Sequence, residues 1–195
     1  VRDDVRTVRE PTPVSSLRAP IELGFDCVVT LIPSGRTMTL EAGDRVTVAQ
    51  ALGGTITVQT ECGYLARISS EDAHRLGLDS QPVKDESAAL GPFDIERVIE
   101  QLKTVFDPEI PINVVDLGLI YACETHQLAD GSHRVEIKMS MTAPGCGMGD
   151  VLREDARSRV QTVSGVSDVD VELVWDPPWD MSRMSDAARL ELGMY

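Results

Sequence analysis

The stretch Arg134-Val-Glu-Ile-Lys-Met-Ser-Met-Thr-Ala-Pro-Gly-Cys-Gly-Met-Gly149 decides the fold. Its first half alternates. Val135, Ile137, Met139 and Met141 face one way and Arg134, Glu136, Lys138 and Ser140 the other, the period of a strand buried on one face. Pro144 and the glycines at 145, 147 and 149 end that pattern. Beyond them Val151, Leu152, Ala156, Val160 and Val163 fall on one face of a helix, and Gly165 fits its C-terminal cap. A further alternating run sets Val169, Val171, Leu173 and Trp175 against Asp168, Asp170 and Glu172. A strand, a helix and a strand in this order close by a right-handed crossover, so the two strands are expected to run parallel.

Upstream, Asp94 is placed to cap a helix with Ile95, Val98, Ile99, Leu102, Val105 and Phe106 on its apolar stripe, stopped by Pro108. Leu119 to Thr125 is rich in strand formers, and Asp130-Gly131 reverses the chain into the deciding strand. The order over residues 93–195 is α-β-β-α-β. One apolar sheet face and two amphipathic helices predict a two-layer α/β sandwich on a mixed three-stranded sheet, in the order one-two-three if the parallel strands are neighbours.

Residues 21–78 predict a small all-β module, either a barrel or a rolled sheet. Short β-rich runs begin at Cys27, Thr37, Arg45, Thr55 and Tyr64, with Gly turns between them, and Ser69-Ser-Glu-Asp72 then caps a short helix ending near Gly77. The polar, proline-flanked residues 79–92 read as the linker between the two units, and residues 1–20, with Pro11, Pro13 and Pro20, as a flexible or extended arm. The chain as a whole is thus α+β, an all-β module followed by an α/β sandwich.

The formal charge of −14 repels phosphate backbones and anionic lipid, which disfavours nucleic-acid and membrane partners. No apolar run approaches a membrane span, and the first residues lack a signal-peptide pattern, so a cytoplasmic location is expected. Cys27, Cys62, Cys123 and Cys146 form no Cys-x-x-Cys pair, and His74, His126 and His133 show no ligand spacing with them. Free thiols are expected, not a disulfide frame or a closed zinc site.

Cys146 differs from the other three in its surroundings. Gly145 and Gly147 let a backbone or ligand approach closely, and the loop opens a helix, where free N–H groups and the helix dipole favour an anion such as a thiolate. The plainer alternative is a small buried residue in a tight loop; the loop chemistry favours the reactive reading. Thr142 is placed on the polar face of the strand end leading into the loop. Asp107, Glu109 and Asp116 lie in the loops after the first helix, where carboxylates are more often caps than ligands. Trp175-Asp-Pro-Pro-Trp179 is either a lid over the sheet edge or a partner-binding segment.

Four ordered motifs, Asp107-Pro-Glu-Ile-Pro, Val115-Asp-Leu-Gly-Leu-Ile-Tyr121, Met141-Thr-Ala-Pro-Gly-Cys146 and Trp175-Asp-Pro-Pro-Trp179, resemble the PaaD-like metal–sulfur cluster assembly family. The tail Met184-Ser-Asp-Ala-Ala-Arg-Leu-Glu-Leu-Gly193 and the preceding β module look like its SufT branch. The resemblance spans about residues 93–193. It implies a part in maturing iron–sulfur proteins, together with the assembly machinery and apo client proteins. It also implies that Cys146 is the cluster-contacting or reactive thiol, with Asp107, Glu109 and Thr142 lining the same site.

Clusters are usually held by four thiolates, and this motif supplies one per chain. A homodimer would supply two. Transient possession of an iron–sulfur cluster, shared between chains or with a partner, therefore fits better than storage. A thiol enzyme is disfavoured, because its base is usually a histidine and His126 and His133 flank the far end of the strand. A pure interaction module, with Cys146 inert and Trp175 and Trp179 carrying the binding, is the other alternative.

Overall fold

The computed structural model describes residues 19–78, 92–144 and 147–194. Most of the expected arm, nearly all of the expected linker, and Gly145 and Cys146 lie outside the described residues.

Strands β1 (Ile21–Glu22), β2 (Cys27–Ile32), β3 (Thr37–Leu40), β4 (Arg45–Leu52), β5 (Thr55–Thr60) and β6 (Leu65–Ile68) build one antiparallel sheet in the order β1-β4-β5-β6-β2-β3. Its buried residues, among them Leu23, Cys27, Val29, Val46, Ile56, Val58 and Ile68, make a core of their own. The described strands leave β1 and β3 as edges, so the hydrogen bonding gives an open sheet and not a closed barrel. Strand β4 runs four residues beyond the alternation of Arg45–Val48, because the register shifts between Val48 and Gln50 and pairing with β5 resumes beyond the bulge. Helix α1 (Ser70–Arg75) is capped by Ser69, whose side chain accepts from the Asp72 N–H.

The second unit contains α2 (Ile95–Leu102), β7 (Ile120–Gln127), β8 (His133–Met139), α3 (Gly149–Val160) and β9 (Val166–Leu173). Its sheet order is β7-β8-β9, with β7 antiparallel and β9 parallel to β8, as the patterning predicts. Val98 and Leu102 of α2, Leu152, Ala156 and Val160 of α3, and Val135, Ile137, Met139, Val169 and Val171 of the sheet share one core. The opposite sheet face carries Arg134, Glu136, Asp168 and Asp170 in a half-exposed ion-pair network; such exposed pairs contribute little to stability.

Several element ends differ from expectation: α3 ends at Val160 with Gln161 as its cap, so Val163 and Gly165 lie beyond it, and β9 ends at Leu173, short of Trp175. Helix α2 ends at Leu102, so Val105 and Phe106 are not helical. The Thr104 and Val105 N–H groups close tight turns on Gln101 and Leu102, after which Phe106 bridges Asn113 and Val105 accepts from the Val114 N–H. Val105 still enters the core, through this bridge instead of a helix face. Strand β8 ends at Met139, so Thr142 lies in the bend beyond the strand and not on it. The reason is that Ser140 donates to the Leu119 carbonyl while Met139 accepts from Val174, so the ladder is complete two residues before the loop begins.

The tail folds back on this unit. Helix α4 (Asp186–Glu191) is capped by Ser185, whose backbone N–H donates to the Asp116 carbonyl, and Met184 and Ala188 join the core. Leu152 is wholly buried between α3 and the sheet. Leu152→Ala should cost about 2–5 kcal/mol in urea unfolding, the range for emptying a packed aliphatic site. A loss under about 1 kcal/mol would mean that α3 does not cover the sheet.

Candidate functional site

The sequence-predicted residues that are described, Asp107, Glu109, Asp116, Thr142, Gly147, Trp175 and Trp179, lie on loops of the second unit. The loop after α2 is fixed by Asp107. Its carboxylate accepts from the Glu109 and Ile110 N–H groups, both at 2.9 Å, and its own N–H donates to Ile112. The side chain is only 4% exposed, and burial pushes its carboxyl above the usual range, against the opposing pull of those two N–H groups. Asp107 is therefore turned into its own loop, whereas Glu109 is exposed.

Asp116 sits in the next turn. Its carboxylate accepts from Asn113 Nδ2 at 2.6 Å, and Asn113 Oδ1 accepts from the Val115 and Asp116 N–H groups. Gly118 follows with a φ of 74°, and a Cβ there would meet the Arg183 carbonyl at 2.3 Å, so this position requires glycine. Trp179 Nε1 donates to the Leu117 carbonyl at 2.8 Å, which ties the tail to the same turn. Trp179 is half-buried against the core and Trp175 is largely exposed. Phe106, Pro111, Ile112, Asn113, Asp116, Ala187 and Leu52 of the β module line a cleft of about 470 Å³.

The third loop joins β8 to α3. Ser140 is hydrogen-bonded to Leu119, so this loop starts beside the turn that holds Asp116. Thr142 is half-buried and Pro144 exposed. Helix α3 starts at Gly149 behind Met148, which makes no side-chain capping bond, so its first N–H groups are not satisfied from that position. Cys146 and Gly145 lie outside the described residues, and Gly147 is exposed on the loop that follows them.

The other thiols are poor ligands. Cys27 is wholly buried, donates to Asp72 at 3.4 Å, and its pKa is pushed up to about 11, first by burial and then by that carboxylate. Burial also raises the Cys123 thiol. Cys62 is exposed but belongs to the turn between β5 and β6 of the other unit. Among the described residues, no group of three or more His, Cys, Asp and Glu side chains could hold a metal ion. His133 opens β8 and stacks on Phe93, at the opposite end of the strand from the loop.

Residues 95–173 match the family described as iron–sulfur cluster assembly protein. That match runs from the first residue of α2 to the last of β9, which is the α-β-β-α-β unit. An Fe-S protein maturation auxiliary factor of Porphyromonas gingivalis is 46% identical over 98 residues, 50% of this chain and 90% of the relative. This chain belongs to the iron–sulfur cluster assembly protein family. A second family relative, the Fe-S protein maturation auxiliary factor YitW of Bacillus subtilis, is 31% identical over 51% of this chain and 93% of its own. A solved domain of unknown function from Bacillus anthracis is 33% identical, with a TM-score of 0.45, and covers 51% of this chain and 92% of that one. These family relatives are matched over nine-tenths of their length by half of this chain, which leaves them no room for a module the size of residues 21–78.

What the sequence reading missed is the contribution of the first unit to this end of the second. Gln50 Nε2 donates to the Asp107 carbonyl at 3.2 Å, and Leu52 lines the Asp116 cleft. Neither residue belongs to a local motif, and no spacing could have singled them out.

The Asp107 geometry separates a structural carboxylate from a functional one. An Asn at this position keeps an acceptor for both N–H groups, so Asp107→Asn should fold, whereas Asp107→Ala should cost about 1–3 kcal/mol by leaving two donors unpaired. Because the folded carboxyl is raised above its unfolded value, its contribution is fully present below about pH 3.8 and is lost as pH rises through the folded pKa. The stability of Asp107→Asn relative to wild type should therefore increase with pH across that window. Urea titrations at several pH values would show this; a difference independent of pH would mean that the carboxyl is not perturbed.

Proposed function

We propose that this chain is a maturation factor for iron–sulfur proteins, which takes a cluster transiently through Cys146 and passes it to an apo client or to another member of the assembly machinery. The observation that carries this reading is the 46% identity to a maturation auxiliary factor over nine-tenths of its length. The motif with Cys146 falls inside the matched segment, between β8 and α3.

The chemistry of the thiols supports the choice of Cys146. A cluster ligand has to be a thiolate. Cys27 and Cys123 are held toward the neutral form by burial, and Cys62 belongs to the β module. The loop of Cys146 leads into the uncapped first turn of α3, whose N–H groups favour negative charge. Thr142, Gly145 and Gly147 are the loop's proposed supporting residues, by their places in the sequence beside Cys146. Glu109 and Asp116 supply negative charge on the neighbouring loops, while Asp107 holds its loop in place. Trp175, exposed beside the sheet, and Trp179, pinned to Leu117, form a further surface for a partner.

One thiolate per chain is an incomplete ligand set, so the cluster is cargo held jointly with a second copy or a partner. His133 opens β8, at the opposite end of the strand from the loop, which favours transfer over enzymatic catalysis. The two separate cores support a division into a β module over 21–78 and an assembly domain over 93–195, joined by 79–92, with 1–20 as an arm. A cytoplasmic location fits a free-thiol chemistry that oxidation would destroy. No helix among the described residues is long and apolar enough to cross a membrane.

Anaerobic reconstitution with iron and sulfide tests this reading. Wild type should gain visible charge-transfer absorption and pass a cluster to an apo ferredoxin. Cys146→Ser should lose at least about tenfold in transfer, since disturbing even an outer-shell partner of a metal ligand costs about 10–100-fold. Cys123→Ser should behave as wild type. Equal transfer by wild type and Cys146→Ser would remove Cys146 from the mechanism and leave the interaction-module reading.

A further inference from the structure

Strand β4 outruns its partner on one side. It pairs with β5 from Val46 to Leu52, but with β1 only through Ile21 opposite Val46 and Glu22 opposite Arg45. Among the described strands, none flanks Thr47–Leu52 on the β1 side, so this length of β4 is an open edge. The pairing also aims the chain along that edge. Because β1 and β4 are antiparallel, the residues before Ile21 lead toward Leu52. Leu23 donates to the Asp44 carbonyl, which sets Ile21, and Ala19 two residues further back, on positions that face β4, and Pro20 on one that faces away. A proline at such a position costs the ladder no donor. The far end of the edge runs onto the second unit: Gln50 donates to the Asp107 carbonyl, and Leu52 lines the cleft of about 470 Å³. That cleft joins the apolar side chains of Leu52, Phe106, Pro111 and Ile112 to two acids, Asp116 and Glu191.

We propose that residues 1–18 are an intramolecular strap, which extends β1 along the open edge of β4 and lays Arg9–Val14 in the cleft beside Asp116, so that a partner segment binding there has to displace it. The sequence matches the path. Leu52 lies six residues beyond Val46, and Ser15 six residues before Ile21, so a continued register brings Ser15 to the end of β4. The bulge after Val48 shifts this by one position. Arg9-Glu-Pro-Thr-Pro-Val14 then falls past the strand end, which is where Pro11 and Pro13 have to lie, since neither could sit inside a ladder. Val14 and the prolines suit the apolar lining, and Arg9 suits the two acids. Residues 1–18 carry Arg2, Arg6, Arg9 and Arg18 against Asp3, Asp4 and Glu10, a surplus of one positive charge in a chain of net charge −14. Their length is ample: eighteen extended residues reach about 60 Å, and the open edge is about 20 Å long. Strand addition to an open edge supplies main-chain hydrogen bonds, and side-chain pockets supply the selectivity. The inference uses neither Cys146 nor its loop, so it stands apart from the cluster-transfer reading.

Hydrogen exchange read by mass spectrometry tests the strap, comparing the full chain with one that begins at Ala19 and so keeps every described strand. Removing residues 1–18 should speed exchange in peptides covering Val48–Leu52 and Phe106–Asp116 by at least about fivefold, while peptides from β5 and β6 stay unchanged as the internal reference. A synthetic peptide of residues 1–18, added to the shortened chain, should restore slow exchange, and less of it at high salt, because its arginine contacts are screened there. The double variant Arg9→Glu with Val14→Asp, made in the full-length chain, should speed exchange in the Phe106–Asp116 peptides by at least about threefold without any truncation. Should the shortened chain unfold, seen as fast exchange in β5 and β6 as well, the double variant decides alone. Equal exchange at the cleft in the full-length and doubly substituted chains would overturn the strap. So would slow exchange that is lost as a dimer dissociates on dilution, because residues 1–18 would then fill the cleft of a second copy.

Discussion

The second unit depends on one constraint: a three-stranded sheet with a single apolar face has to bury that face, and α2 and α3, helped by the loop after α2 and by Met184 and Ala188 of the tail, cover it. Met139 and Ile137 of β8, Val169 and Val171 of β9, and Leu152 and Ala156 of α3 meet in one core. Because β8 and β9 run parallel, the chain must cross from one end of the sheet to the other between them, and α3 makes that crossing. Thr142, Ala143, Pro144 and Gly147, between β8 and α3, are therefore carried to the C-terminal ends of the parallel strands, at the margin of the core. Crevices at that end of parallel strands are where open α/β sheets hold their ligands. Gly147 and Met148 occupy that position for packing reasons before any question of function arises.

The same burial that makes the two cores disarms two of the four thiols. A cysteine inside a small core loses the hydration its thiolate needs, and the effect is large enough to move Cys27 up to about 11. Cys123, on a strand whose inner face packs against the sheet core, shifts in the same direction. Carboxylates divide along the same line. Asp107 is buried and occupied by its own turn, so it holds the loop and is not free to meet a ligand, while Glu109, two residues on, is exposed. Motif membership does not distinguish these two acids; desolvation and hydrogen-bond partners do.

Much of this was legible in the sequence because it follows from periodicity. Alternation in 134–141 and the change to helical spacing after Gly149 fix β8, α3 and their parallel partner, and side-chain caps at Asp94 and Ser185 sit where their residue types predict. The errors fall where local pattern and hydrogen bonding disagree. Val105 and Phe106 continue a helical stripe, yet the chain turns at Thr104 because the bridge to Asn113 and Val114 offers the backbone other partners. Thr142 continues the strand alternation, yet the ladder is already satisfied by Leu119 and Val174. The contacts of Gln50 with the Asp107 carbonyl, of Gly53 with the Thr104 carbonyl and of Arg67 with Asp155 were not legible, since they join residues far apart in the chain whose types are ordinary in a small β sheet.

A close approach of the two units also gives a physical meaning to one glycine of the loop. In this chain Gly147 needs no unusual φ, and what excludes a side chain there is the Ser34 carbonyl. A residue chosen for close approach constrains two surfaces at once, so the tip of the β module and the loop after β8 have to fit each other as an interface does. Under the proposed function, in which one thiolate cannot complete a cluster, a productive complex would bring further ligands to a loop whose described residue Gly147 is already packed against the Ser34 carbonyl.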